Sequence, residues 1–120
     1  MKLYESSEDY LERILILTNK NGSVRSIDIV EDMHFSKPSV SVAMKKLKEN
    51  GYILVDSKGY ISLTSSGLKV ASKTLERHQV LTDLFISLGV DEKVAQEDAC
   101  RIEHDLSEET FNAIKKAISK

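Results

Sequence analysis

The chain has 120 residues, 41% of them hydrophobic and 30% charged, with a formal net charge of −2 at pH 7. That length holds one domain or two small ones, and that balance suits a folded chain rather than a disordered one. One proline, five glycines and 6% aromatics favour helices over a sandwich or barrel, and no apolar run approaches the ~20 residues needed to cross a bilayer.

Met1-Lys2-Leu3-Tyr4-Glu5 holds no apolar stretch of the secretory kind. The single cysteine, Cys100, cannot form an internal disulfide, so the expected location is the reducing cytoplasm. Charge is unevenly spread. Between Ser36 and Lys73 seven lysines stand against Glu49 and Asp56, whereas between Val90 and Thr110 eight acids stand against Lys93 and Arg101. The first segment suits phosphates and the second suits cations, although such runs are also ordinary solvated faces.

Ser6-Ser7 followed by Glu8-Asp9 is a helix start, and Tyr10, Leu11, Ile14, Leu15 and Leu17 continue it over residues 8–19. Asp9 and Glu12 share one face of its first turns; the helix dipole alone explains acids there. Ser26 is expected to cap a short second helix, 27–33, with Ile27, Val30 and Ile29 inward. Pro38 opens a third helix, 38–50, with Val40, Ala43, Met44 and Leu47 on its buried side. Two short helices joined by a tight turn make a helix-turn-helix, whose second member enters the major groove of DNA. Residues 52–55 and 60–63 read as strands around the turn Asp56-Ser57-Lys58-Gly59, which makes a wing.

Ser36, Lys37, Pro38, Ser39 and Ser41 cluster at the start of the third helix, where small hydroxyls and proline allow close approach to phosphates and thymine methyls. The serines also serve as helix caps, and Ser36 can do both. Lys45 and Lys46 suit phosphate, and Lys58 at the wing tip can reach the DNA backbone or minor groove.

Thr64-Ser65-Ser66-Gly67 opens a long fourth helix, with Leu68, Ala71, Leu75, Val80, Leu81, Leu84, Phe85 and Leu88 as its apolar positions before Gly89. Asp91 opens a fifth helix, 92–105, and Ser107 caps a sixth with Phe111, Ile114 and Ile118 inward. Leu84, Phe85, Leu88, Val90 and Val94 form more apolar surface than a short helical tail should expose, which a two-fold homodimer would cover. The expected architecture is mainly α: a winged helix-turn-helix DNA-binding domain over 1–72, then an all-helical dimerisation domain over 73–120.

The fifth helix holds the chemistry. Cys100, Glu103 and His104 fall at i, i+3 and i+4, so a thiol, a carboxylate and an imidazole converge, and all three bind first-row transition metals. A small buried cysteine beside packed polar side chains would show the same residues. No nucleophile–base pair and no glycine-rich phosphate loop is visible, so neither an enzyme nor a small organic substrate is expected.

These pieces together resemble the DtxR/MntR family of metal-dependent transcriptional repressors of bacteria, over nearly the whole chain. The residues that carry the resemblance are Ser7 to Glu12, Phe35 to Ser41, Leu63 to Gly67, Arg77-His78, Gly89 to Asp91, and Cys100 to Ser107. It implies six metal ligands: Asp9, Glu12, His78, Cys100, Glu103 and His104. Asp9 and Glu12 match the manganese-type members, whereas Cys100 stands where those members have glutamate and matches the iron type. The cofactor implied is therefore Fe(II) or Mn(II), with Zn(II), Co(II) or Ni(II) able to bind in vitro. Two positions of the iron type's ancillary site are here Thr82 and Gln96, neither a good ligand, and the sequence shows no SH3-like third domain. The implied partner is palindromic double-stranded operator DNA, and the implied role is metal-gated repression of metal-uptake genes by a cytoplasmic homodimer. The alternative is a winged-helix regulator whose metal site is structural or inert, for example loaded with Zn(II).

Overall fold

A computed structural model describes residues 5–119, so the reading of the first four residues lies outside it. The chain divides into two compact units, residues 1–72 and 73–120.

The first unit begins with α1, Glu5–Asn21. It starts earlier than the serine-cap reading expects, and Ser6 and Ser7 lie inside the helix. Gly22, at φ 84°, ends it and donates its N–H to Thr18 O at 2.8 Å. A two-residue strand follows, β1, Val24–Arg25, which the sequence did not announce. Then comes α2, Ser26–Met33. Its N-cap is Arg25 rather than Ser26, and the Asp28 carboxylate accepts the Arg25 N–H at 2.8 Å. Ile29 is its buried residue, as expected, whereas Ile27, also expected inward, is 42% exposed.

His34, in the left-handed region at φ 58°, turns the chain out of α2. The next helix, α3, Lys37–Glu49, starts one residue before the expected proline. Ser36 is its N-cap, accepting the Ser39 N–H at 3.3 Å. Val40, Met44 and Leu47 face inward at i, i+4 and i+7.

The wing is β2, Ile53–Val55, and β3, Tyr60–Leu63. In the turn between them the Asp56 carboxylate accepts N–H bonds from Lys58 and Tyr60, both at 2.9 Å. The sheet is antiparallel in the order β1-β3-β2, with Val24 and Val55 both opposite Ile61 and Ile53 opposite Leu63. Alternation sorts the faces: Ile53 and Ile61 are buried, and Leu54 is 62% exposed.

After β3, Thr64 accepts the Gly67 N–H on Oγ1 at 3.1 Å and donates the same hydroxyl to Gly51 O at 2.6 Å. A Cβ on Gly67 would sit 2.0 Å from Tyr52 O, so only glycine lets the start of the next helix lie against the residue that leads into β2. That helix is α4, Ser65–Ser87. Leu68, an apolar position of the helix, is 46% exposed, while Ala71 joins the core of Leu11, Ile14, Val24, Ile29 and Leu47.

The second unit holds the later turns of α4 together with α5, Glu92–Ile102, and α6, Glu108–Ile118. Asp91 caps α5 by accepting the Lys93 N–H, and Ser107 caps α6 by accepting the Thr110 N–H, both at 3.1 Å. Leu81, Ala95, Ala99 and Phe111 are its buried apolar residues. Leu88 and Val94 are exposed, as are Ile86 and Ile102, whereas Leu84, Phe85 and Val90 are half-buried. Among the described residues no helix is long and apolar enough to cross a membrane.

Candidate metal centre and DNA-recognition surface

The end of α5 carries the candidate metal centre. Helix α5 stops at Ile102, so Glu103 is its C-cap and His104 lies in the turn beyond, not on the helix as expected. A helix end leaves carbonyls without intrahelical partners. Arg77 of α4 fills that role: its Nη1 donates to Glu103 O at 3.0 Å and to Leu106 O at 2.7 Å. The guanidinium is buried and lies over the Phe111 ring, 5.2 Å from its centroid. The turn between α5 and α6 is thus pinned by its main chain.

The pinned turn carries a buried acid. The Glu103 side chain has no exposed surface, and it stands between two imidazoles. His78 Nδ1 lies 2.9 Å from Glu103 Oε2, and His104 Nε2 lies 3.4 Å from Oε1. His78 follows Arg77 on α4, so one helical stretch both anchors the turn and supplies an imidazole. Glu103 Oε1 accepts no hydrogen bond among the described residues. A fully buried carboxylate needs a countercharge close by. A carboxylate with an unsatisfied oxygen between two imidazoles is a donor set that fits a divalent transition ion.

The other expected ligands are placed as follows. Cys100 is exposed, one turn before Glu103 on α5. In the first unit, Asp9 and Glu12 stand three residues apart on α1; Glu12 is 5% exposed and Asp9 half-buried. Thr82 and Gln96 line a cleft of about 360 Å³ with His78, Asp83 and Glu92. Thr82 Oγ1 is buried there without a hydrogen-bond partner among the described residues.

On the DNA-recognition side, Lys37, Pro38, Ser39, Ser41, Lys45 and Lys46 are all exposed on α3, and Lys58 is exposed in the wing turn. Ser36 donates its hydroxyl to Ser39 Oγ at 2.8 Å while capping α3. Sequence reasoning missed Arg25, whose guanidinium lies 5.4 Å from the Tyr60 ring centroid at the wing. It also missed the anchoring by Arg77, for which the adjacent histidine was the only hint.

Two family models match the chain. Residues 2–61 match the family model of the iron-dependent repressor N-terminal DNA-binding domain. Residues 64–120 match that of the iron-dependent repressor metal-binding and dimerisation domain. The chain is 34% identical over 113 residues to an uncharacterised HTH-type transcriptional regulator of Methanocaldococcus jannaschii, covering 92% of this chain and 90% of that protein. It is 34% identical over 111 residues to the transcriptional regulator MntR of Escherichia coli O6:H1, covering 92% of this chain and 72% of MntR. Among solved structures, the manganese regulator SloR superposes with a TM-score of 0.82 at 28% identity, over 94% of this chain. This chain spans 53% of SloR's length. The chain belongs to the DtxR/MntR family of metal-dependent transcriptional regulators.

Proposed function

We propose that the protein is a cytoplasmic, metal-gated repressor, acting as a homodimer on palindromic operator DNA, and that Fe(II) or Mn(II) is the gating ion. The observation that carries this reading is the Glu103 carboxylate, fully buried between His78 and His104 in a turn held by Arg77. His78, Glu103 and His104 hold the ion, with further ligands from Cys100 and from Asp9 and Glu12. When bound, a divalent ion supplies the positive charge that offsets repulsion among three carboxylates and a thiolate. Asp9 and Glu12 belong to the DNA-binding unit, so their engagement biases that unit toward the DNA-competent arrangement. Couplings of this kind are about 1–3 kcal/mol per site.

On DNA, α3 enters the major groove. Ser36, Lys37, Pro38, Ser39 and Ser41 approach backbone and bases, Lys45 and Lys46 neutralise phosphate, and Lys58 reaches the backbone from the wing. A two-fold dimer would set its recognition helices about 34 Å apart, one turn of DNA.

The test is operator binding by fluorescence anisotropy, titrated with Mn(II), Fe(II) and Zn(II) under reducing, oxygen-free conditions. Glu103→Ala is expected to remove the metal dependence while circular dichroism stays unchanged. Equal wild-type affinity with and without chelator would sink the reading. A structural Zn(II) site is the second reading, favoured by the thiol and imidazole donors. It predicts that chelation lowers the melting temperature and leaves DNA affinity alone.

A further inference from the structure

Helix α3 keeps its two faces separate. Val40, Met44 and Leu47 line the buried face. With 3.6 residues per turn, the opposite line is Pro38, Val42, Lys45 and Glu49. All four are exposed, Val42 at 55%. Val42 therefore contributes nothing to the core. As a β-branched residue it is also a modest helix former. On this line Pro38 and Val42 are the apolar members, able to meet an apolar partner.

The chemistry of the groove supplies one. In a helix-turn-helix the N-terminal residues of the second helix meet the base edges, which selects Pro38 and Val42 from this line and leaves Lys45 and Glu49 further along. Residues 37–49 contain no arginine, asparagine or glutamine, so the planar side chains that grip purine edges in pairs are missing from α3. The Ser36 hydroxyl is already committed to Ser39 Oγ. The apolar feature that the major groove offers to a side chain is the 5-methyl group of thymine.

We propose that Val42 is a specificity-determining residue that reads a thymine 5-methyl group in each operator half-site. The inference rests on the DNA-binding reading of α3 given above. Duplexes are selected from a random pool by the full chain with Mn(II) under reducing conditions. Each thymine of the enriched duplex is then replaced singly by deoxyuridine, which lacks only the methyl group. In wild type, one replacement per half-site is expected to weaken binding about fourfold, the worth of burying one methyl group. Val42→Ala should bind thymine and uracil duplexes alike, whereas Lys45→Ala should weaken every duplex and keep the uracil penalty. Wild type indifferent to every uracil, or Val42→Ala keeping the full penalty, overturns the assignment of Val42 alone. Failure to enrich any duplex overturns the DNA-binding reading and this inference together.

Discussion

The two units bury different kinds of side chain. Residues 1–72 enclose Leu11, Ile14, Val24, Ile29, Leu47 and Ile53, an almost wholly apolar set in which Glu12 is the buried charge. Residues 73–120 enclose Leu81, Ala95, Ala99 and Phe111, but beside them Thr74, Arg77, Thr82 and Glu103. The first interior is stabilised by removing hydrocarbon from water, which needs no specific partner. The second adds buried polar groups, each of which costs stability unless it meets a complement. The difference teaches that the DNA-binding unit is built to hold one shape. The other unit keeps polar groups inside, where a bound complement can satisfy them.

The comparison breaks most visibly by emptying the apolar core. Ile14→Ala should cost about 2–5 kcal/mol of stability by chemical denaturation, through lost transfer energy and a cavity. The loss should be the same with and without Mn(II). A loss that added metal recovers would show that the first interior is not independent of the site. Arg77→Met sharpens the other side. It removes charged hydrogen bonds worth about 1.5–3 kcal/mol each from the main chain of the α5–α6 turn. Hydrogen exchange should speed up at the amides of 103–106 while those of α3 keep their protection. Unchanged exchange at 103–106 would remove Arg77 from this role. The smallest effect is expected from Lys115→Ala, which breaks the exposed pair with Glu76 at 3.0 Å. That pair is worth about 0.2–1 kcal/mol and less in high salt. A larger change in melting temperature would mean that surface pairs, not buried polar groups, order the second unit.

Legibility in the sequence followed the range of the interactions. The helix-turn-helix and wing could be read because their signals are local. Ser36 caps its own helix, Asp56 closes its own turn, and Gly67 stands three residues after the threonine that accepts its N–H. What could not be read depends on distant partners. Strand β1 exists only through its register with β3, and two residues carry no alternation to find. Ile27, expected inward with Ile29 and Val30, is exposed because a two-turn helix with apolar residues at 27, 29 and 30 fits more than one buried face. At the candidate site, the spacing of Cys100, Glu103 and His104 suggested one helical face. The helix ends at Ile102, and His104 instead meets the Glu103 carboxylate from the turn. Nor does spacing reveal that an arginine 26 residues away holds that turn.

Arg77 grips carbonyl oxygens, and every residue has one. The shape of the turn is therefore indifferent to which side chains 103 and 106 carry. In evolutionary terms, the scaffold of the site is uncoupled from its ligand set. Donor side chains there can be exchanged, and metal preference can drift, without rebuilding the backbone that presents them.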